Sequence, residues 1–435
     1  MKNKKGTDMK VYEQVYEFYV KQIEDKALKS GDKMPSIRES ERTLNVSRTS
    51  IETAYLQLAA DGYIYSVEKV GYFVSDMVER AMEKEKTVAG QAEKSAIKSY
   101  IYDLATIGED KEVSCLQLWR RYMKSALRQE ERLLNYPNNQ GEEDLRNEIA
   151  SYVRKTRNII CSPDDIVIGA GFQNLLSLLI PLIPGEKTIS FPTKNFADGA
   201  TVFRNAGFTV NYRDKESHVI YVTPSYMTKW GEVMTMKRRH ELIDHARKNG
   251  HLIIEDDYQN EFVFSNKATP SLYAMTGGEN IAFLGSFSRV LLPSVRISYL
   301  ILPKGVRQEY EKIKRLYNQT ASMAEQIALA SFLRDGHLNR HIKKMRRLYE
   351  DKRKLMYKSL KQAFGNDGEI MLGESGMEMG VKLSRKGIDV KLDKCNVKVN
   401  VVEASENTAT FLVSCSKIDI EEIGEAVLKL NYGLQ

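Results

Sequence analysis

Cysteine is scarce in this chain of 435 residues: Cys115, Cys161, Cys395 and Cys415 are scattered without metal-ligand spacing. That pattern argues against a metal site and a disulfide framework, so the four read as reduced, mostly buried thiols. No run of about 18 apolar residues occurs, and no membrane-spanning helix is expected. The stretch MKNKKGTDMK carries basic residues with no apolar segment behind them, which argues against a secretory signal and for a cytoplasmic protein. There is no internal repeat and no low-complexity tract. Charge of one sign is also missing where it would tell most. The formal net charge is +7, yet residues 1–76 hold nine Lys and three Arg against five Asp and seven Glu. Nucleic-acid binding cannot be argued from that balance and depends on where single cations sit.

What is present is enough apolar material, 42% of residues, to bury real cores. The length predicts two or three domains. Residues 10–76 are short helical patterns ending in an aromatic, glycine-containing stretch. Residues 77–98 are charged and lack a large apolar face, so they read as a linker. From about residue 99 the runs DIVIGAG, KTISFP, HVIYVTP, HLIIEDD, IAFLGSF and ISYLILP alternate with amphipathic helices. Short apolar strands between helices predict an α/β domain with a mostly parallel sheet covered on both faces.

In the N-terminal region Val11, Val15, Phe18, Tyr19, Gln22 and Ile23 form a stripe, predicting a helix from Val11 to about Leu28. Pro35 and Ser36 start a second helix ending near Leu44, Asn45-Val46 is the turn, and Ser47 caps a third helix through about Asp61. Tyr63–Tyr65 and Tyr72–Val74 read as a hairpin with Lys69 and Gly71 near its tip. Two short helices joined so tightly make a helix-turn-helix, whose second helix enters the DNA major groove by its first residues, here Ser47, Arg48, Thr49 and Ser50. The residues Gly31, Pro35, Ser36, Arg38, Glu39, Val46, Ser47, Arg48, Gly71, Phe73 and Val74 resemble the pattern of the GntR family of winged helix-turn-helix regulators. The resemblance implies that Arg38 and Arg48 contact backbone or bases of double-stranded DNA. It also exposes a departure, because Val70 stands where the family commonly carries an Arg before the wing glycine.

In the larger region Gly171, Phe172 and Gln173 form a glycine turn opening a helix, which suits an anion. Asp256 and Tyr258 fall at the carboxyl end of a strand, where open parallel sheets bind ligands. An Asp there can pair with a protonated ring nitrogen and the Tyr can reach a phenolic oxygen, while Ser286, Ser288 and Arg296 suit a phosphate. These pieces suggest a fold type I pyridoxal-phosphate domain. Together with Trp119, the Tyr136–Arg146 motif, Thr223–Ser225 and the run from His341, they resemble the MocR subfamily of GntR regulators over almost the whole chain. The resemblance implies an aminotransferase-like domain at 99–435, with a small α+β C-terminal part from about 311. It also implies a homodimer, and a cofactor held at its phosphate by Gly171, Phe172, Gln173, Ser286, Ser288 and Arg296, at its ring nitrogen by Asp256 and at its ring hydroxyl by Tyr258.

The departures say more. The family motif S-F-S-K supplies the lysine that forms the Schiff base, and this chain has Arg289 there. A guanidinium stays protonated and cannot be that amine, so ordinary transamination and a catalytic residue are not expected. It offers instead a fixed fork for phosphate or carboxylate. Tyr226 and Glu378 replace histidines of the family, and Lys194 replaces its stacking aromatic, with Phe196 as a stand-in. No Arg stands in TATFLVSCS, and Lys194 and Lys229 are the lysines left to offer an amine. The expectation is a transcription regulator whose large domain senses a small-molecule effector. Three readings stay open for its pocket: a pyridoxal-phosphate-type ligand held non-covalently, another anion held by Arg289 and Arg296, or a structural, dimerising domain. The alternative function is an aminotransferase carrying a DNA-binding appendage.

Overall fold

The first helix, α1 (Val11–Glu24), turns Val15, Tyr19 and Ile23 into a core, as its periodicity predicts. Val11 and Phe18, placed on the same stripe by the sequence, are 49% and 42% exposed. Val11 begins the helix, and Phe18 lies against the edge of Tyr19 at 5.2 Å rather than beneath it. The helix also stops four residues before Leu28. Lys26 takes a left-handed φ of 59° and the Leu28 N–H bonds back to the Gln22 carbonyl. These details come from a computed structural model that describes residues 10–68, 70–75, 101–108, 110, 113–194, 196–264, 269–385, 396–405 and 407–434. The chain divides into two compact units, Met1–Lys98 and Ser99–Gln435. Lys69, Cys395 and the expected linker 77–98 lie outside the described residues.

In the first unit, Ser36 opens α2 (Ile37–Leu44) with a capping box shared with Glu39, and Asn45 in the left-handed region closes it. Val46 alone separates Asn45 from Ser47, which caps α3 (Arg48–Ala60). Strands β1 (Ile64–Val67) and β2 (Gly71–Val74) pair antiparallel, Ile64 against Val74. Ile51, Ala54, Tyr55 and Leu58 of α3 pack on Val15, Tyr19 and Ile23. A buried polar chain ties the three helices together. Ser40 shares hydrogen bonds with the hydroxyls of Tyr19 (2.7 Å) and Tyr55 (2.9 Å), and Tyr55 donates to the Pro35 carbonyl. Each group is satisfied, so the network specifies the helix arrangement instead of penalising it.

The second unit holds a seven-stranded sheet in the order β4-β10-β9-β8-β7-β5-β6. The strands are β4 (Ile166–Gly169), β5 (Thr188–Phe191), β6 (Thr209–Tyr212), β7 (Val219–Val222), β8 (Leu252–Asp256), β9 (Ile281–Ser286) and β10 (Ser298–Ile301). Only β10 runs against its neighbours. The sequence shows six of the seven as apolar runs; β6 is missed because it is an edge strand of composition TVNY with no fully buried residue. Alternation along the strands feeds two cores. Phe191, Tyr221, Ile254 and Leu284 face α6 (Phe172–Leu179) and α7 (Ala197–Asn205), while Ile168, Ile253 and Phe283 face α5 (Glu143–Arg157), α8 (Met236–Asn249) and α9 (Met323–Arg334); α4 (Leu116–Ala126) lies on that second core through Trp119.

A second sheet, antiparallel, has the order β11-β12-β15-β14. Its strands are β11 (Gly368–Met371), β12 (Glu378–Ser384), β14 (Asn400–Ala404) and β15 (Thr408–Ser414); β13 (Val397–Lys398) pairs instead with β3 (Tyr102–Asp103). Helices α10 (His337–Phe364) and α11 (Ile423–Gly433) pack together beside it. Lys352 of α10 is wholly buried and is held by the Asp110 carboxylate and the Ile418 carbonyl. Among the described residues no helix is long and apolar enough to cross a membrane, and no cluster of His, Cys, Asp or Glu that could hold a metal ion is present. Cys115, Cys161 and Cys415 form no disulfide among the described residues, and burial pushes the thiols of Cys161 and Cys415 up to about 12, far from nucleophilic thiolates.

Candidate functional site

In the first unit the start of α3 presents Ser47, Arg48 and Thr49 to solvent, with Ser50 half-buried behind them. Ser47 Oγ accepts from the Ser50 N–H at 3.3 Å and shares a hydrogen bond with Ser50 Oγ at 2.9 Å. Arg48 Nε donates to Glu52 Oε1 at 2.8 Å, one turn on, and both side chains remain well exposed. An exposed pair of this kind contributes only about 0.3–0.5 kcal/mol, so Arg48 can exchange Glu52 for a phosphate at little cost. Arg38 is exposed in the first turn of α2. Gly71, at φ +130°, opens β2, and a Cβ there would lie 3.3 Å from Lys33 Cε. Lys33 bridges to Phe73 and so adds a third edge to the hairpin. No local sequence pattern marks Lys33, which stands two residues before Pro35 and meets the wing only through the bridge to Phe73.

In the second unit Gly171 caps α6 with φ +92°. A Cβ there would come within 3.1 Å of Arg296 Nη2. Backbone conformation and space both call for glycine, and the result sets the Arg296 guanidinium beside the first turn of α6, at Phe172 and Gln173. The N–H groups of that turn carry the positive end of the helix dipole. Ser286, at the end of β9, is exposed and its Oγ accepts from Ser298 Oγ at 3.0 Å. Ser288 has a structural task, since its Oγ donates to the Val295 carbonyl at 2.8 Å and holds the loop that carries Arg296.

Asp256 ends β8. Burial pushes its carboxyl up to about 6, against hydrogen bonds from Tyr221 and from the Tyr258 backbone. The Tyr221 hydroxyl donates to Asp256 Oδ2 at 2.5 Å. Tyr221 was not singled out from the sequence, although a Tyr inside an otherwise aliphatic strand two residues before TPS is a visible anomaly. Phe196 packs on Tyr221 at 4.9 Å and on Phe172 at 5.8 Å, whereas Lys194 points to solvent. The aromatic stand-in therefore lies beside the residue that holds Asp256.

Arg289 is the centre of the remaining cluster. Its Cζ lies 5.4 Å from the centroid of the Tyr258 ring. Its Nε and Nη2 are buried and, among the described residues, have no hydrogen-bond partner. The Tyr226 ring meets Tyr258 edge-on at 5.5 Å, and its hydroxyl is shared between the Lys229 carbonyl (2.6 Å) and the Glu378 carboxyl. Burial raises the pKa of Glu378, opposed by the Tyr226 hydroxyl, by Arg289 and by Lys229. The two family histidines replaced here, at positions 226 and 378, thus stand in contact as one Tyr–Glu pair. Gln259 is 2% exposed and holds a left-handed φ of 60°. Its amide lies near Glu378, yet neither its Oε1 nor its Nε2 completes a hydrogen bond of good geometry. Buried polar groups are ordinarily satisfied, and a group of them left open in one place marks either strain or room for a ligand.

Over residues 11–74 the chain matches the family described as "Bacterial regulatory proteins, gntR family". Over residues 106–427 it matches the family described as "Aminotransferase class I and II". It is 30% identical to the HTH-type transcriptional regulator YdeL of Bacillus subtilis (strain 168), over 97% of this chain and 96% of that one. It is 24% identical to the "Probable rhizopine catabolism regulatory protein MocR" of Rhizobium meliloti, over 88% of this chain and 83% of that one. The solved structure of LysN, the α-aminoadipate aminotransferase of Thermus thermophilus, complexed with N-(5'-phosphopyridoxyl)-L-leucine, superposes with a TM-score of 0.65. That match covers 78% of this chain and 93% of LysN at 21% identity, and shows a shared fold. A GntR-type reading head and an aminotransferase fold thus occur in one chain. It belongs to the MocR-like group of helix-turn-helix transcriptional regulators that carry an aminotransferase class I and II domain.

Proposed function

We propose that the aminotransferase-like unit senses an anionic small molecule without a covalent bond and without transamination, and passes its occupancy to the DNA-binding unit. One observation carries this reading: a permanently charged guanidinium, Arg289, has two buried N–H donors with no acceptor among the described residues, in the ring of residues that would surround a cofactor. An anion satisfies both donors at once, and charge-assisted hydrogen bonds are the strong ones.

The residues fit a pyridoxal-type molecule in part. Gly171, Phe172, Gln173, Ser286 and Arg296 would hold its phosphate, with Ser288 fixing the Arg296 loop. Asp256, buttressed by Tyr221, would hold a protonated ring nitrogen, and Tyr258 would reach the ring hydroxyl. Bound there, such a cofactor supplies an electrophilic carbonyl and an electron sink. At position 289, however, this chain presents no amine and no group able to carry a proton away. The chain's own contribution is therefore to bind and orient, and another phosphate or carboxylate metabolite satisfies Arg289 and Arg296 equally well.

On the DNA side, α3 would enter the major groove by Ser47, Arg48, Thr49 and Ser50, with Arg38, Lys69 and the backbone at Gly71 positioning the module on phosphates. In a cytoplasmic homodimer two such modules would meet two half-sites. A ligand alters DNA affinity only if it binds two states of that dimer unequally.

The test is a titration of the full chain with pyridoxal phosphate, followed by visible absorbance, borohydride trapping and thermal shift, beside an Arg289→Lys variant. The reading expects the native protein to trap no covalent adduct and the variant to turn yellow and trap one at residue 289. A borohydride-stable adduct on Lys194 or Lys229 of the native protein, with amino-group transfer, would establish the aminotransferase alternative instead.

A further inference from the structure

A cavity of about 420 Å³ opens at the carboxyl ends of β5 and β7; Tyr221, which holds Asp256, forms part of its wall, whereas Gly171, Asp256, Tyr258, Ser286, Arg289 and Arg296 do not. Its place follows from topology. Strands β5 and β7 are neighbours, but the chain leaves β5 outward to β6 through α7 on one face and leaves β7 inward to β8 through α8 on the other. Adjacent strands whose connections diverge in this way leave a crevice at their carboxyl ends, where open α/β sheets bind ligands. Alternation decides which face is used. Tyr221 turns its side chain toward Asp256 and the α7 face, so Ile220 and Val222 on either side of it turn toward α8 and line the cavity.

Its walls are apolar, from Ile220, Val222, Met227, Met234 and Leu242. Its exposed lining side chains are Arg213, Lys215, Arg238 and Glu232, three cations against one anion. Arg213 is fixed at this edge by its backbone. It holds a left-handed φ of 53°, its N–H bonds the Phe191 carbonyl at 3.0 Å, and its Nε donates to the Pro192 carbonyl at 3.3 Å. A non-glycine residue in that region costs about 1 kcal/mol or more, and persists where its surroundings over-determine it. The volume falls in the range of about 300–1,000 Å³ typical of small-molecule sites. From this geometry we propose a second ligand site, distinct from the Arg289 pocket, for an amphipathic anion whose apolar body fills the β5–β7 crevice and whose carboxylate meets Arg213 and Arg238. The wall segment 223–234 also carries Tyr226 to Glu378 and Tyr258, so a molecule seated here bears on the loop that borders the Arg289 cluster.

The experiment is calorimetric titration of the full chain with 4-phenylbutyrate and with 4-phenylbutan-1-ol, its uncharged counterpart. The proposal expects the acid to bind a site that persists in Arg289→Met, and the alcohol to bind that site at least several-fold more weakly. Leu242→Trp, which fills the crevice, should abolish binding, and an Arg213→Gln/Arg238→Gln double variant, altered only at exposed side chains, should weaken the acid by about 2–10-fold. Absence of acid binding, equal affinity for acid and alcohol, undiminished affinity in either crevice variant, or loss of binding in Arg289→Met would each overturn the proposal.

Discussion

Replacing Arg289 by Met should move stability and ligand affinity in opposite directions. Without a ligand, Arg289 keeps Nε and Nη2 buried and unpaired among the described residues. An unsatisfied buried donor costs about 1–3 kcal/mol, and the lower end applies because the residue is only half-buried. The guanidinium recovers about 0.5–1 kcal/mol from the Tyr258 ring. Methionine keeps the apolar stem and its contact with Tyr258 but removes the orphaned donors. The ligand-free variant should therefore be more stable than the native chain by about 1 kcal/mol, a rise in Tm of about 2 °C. With an anion bound the balance reverses. Losing even one of the two charge-assisted hydrogen bonds costs about 1.5–3 kcal/mol, so affinity for pyridoxal phosphate or inorganic phosphate should fall by at least about 10- to 150-fold. Thermal unfolding of both proteins across a phosphate titration reads both effects in one assay. A variant less stable than the native protein without ligand would show that Arg289 is structural and refute the reasoning.

Other outcomes follow from the same contacts. Lys352→Met should cost about 3–5 kcal/mol, because it removes the buried cation paired with the Asp110 carboxylate; urea unfolding should show most of the loss restored by adding Asp110→Asn. Arg48→Ala should weaken DNA binding by about the strength of one phosphate or base contact and lower the slope of log affinity against log salt by about 1, measured by fluorescence anisotropy over a salt series. His341 is 8% exposed, and burial, with Lys344 second, lowers its pKa from 6.5 to about 4. The unfolded chain then binds the extra proton first. Its contribution to stability is full above pH 6.5 and is lost as pH falls toward 4, so the urea midpoint should decline across that window and the decline should be shallower in His341→Gln.

What the sequence disclosed was what local chemistry fixes. Ser36 and Ser47 are caps because their hydroxyls reach backbone N–H groups three residues on, and both helices begin where those serines stand. Leu28 was misplaced because a helix end depends on what the next turn packs against, here a left-handed Lys26. In the larger unit, apolar strands were plain and the polar edge strand β6 was not. Arg289, Tyr226 and Glu378 were each visible as single departures from a family pattern. That Tyr226 and Glu378 touch could not be read, since they lie 152 positions apart. The same holds for Tyr221 against Asp256, 35 positions apart, and for the unpaired amide of Gln259. Periodicity carries no information about such contacts, because they are made by sheet register and strand order.

The central claim, that DNA affinity answers to a non-covalent anion at Arg289, is tested most directly by anisotropy of the full chain. The assay uses the DNA upstream of its own coding region, with and without pyridoxal phosphate, for the native protein and Arg289→Met. The expected result is binding several-fold or more tighter than to unrelated DNA, a shift in affinity on adding the anion, and loss of that shift in the variant. Equal affinity for unrelated DNA, or a ligand response unchanged by Arg289→Met, would contradict it.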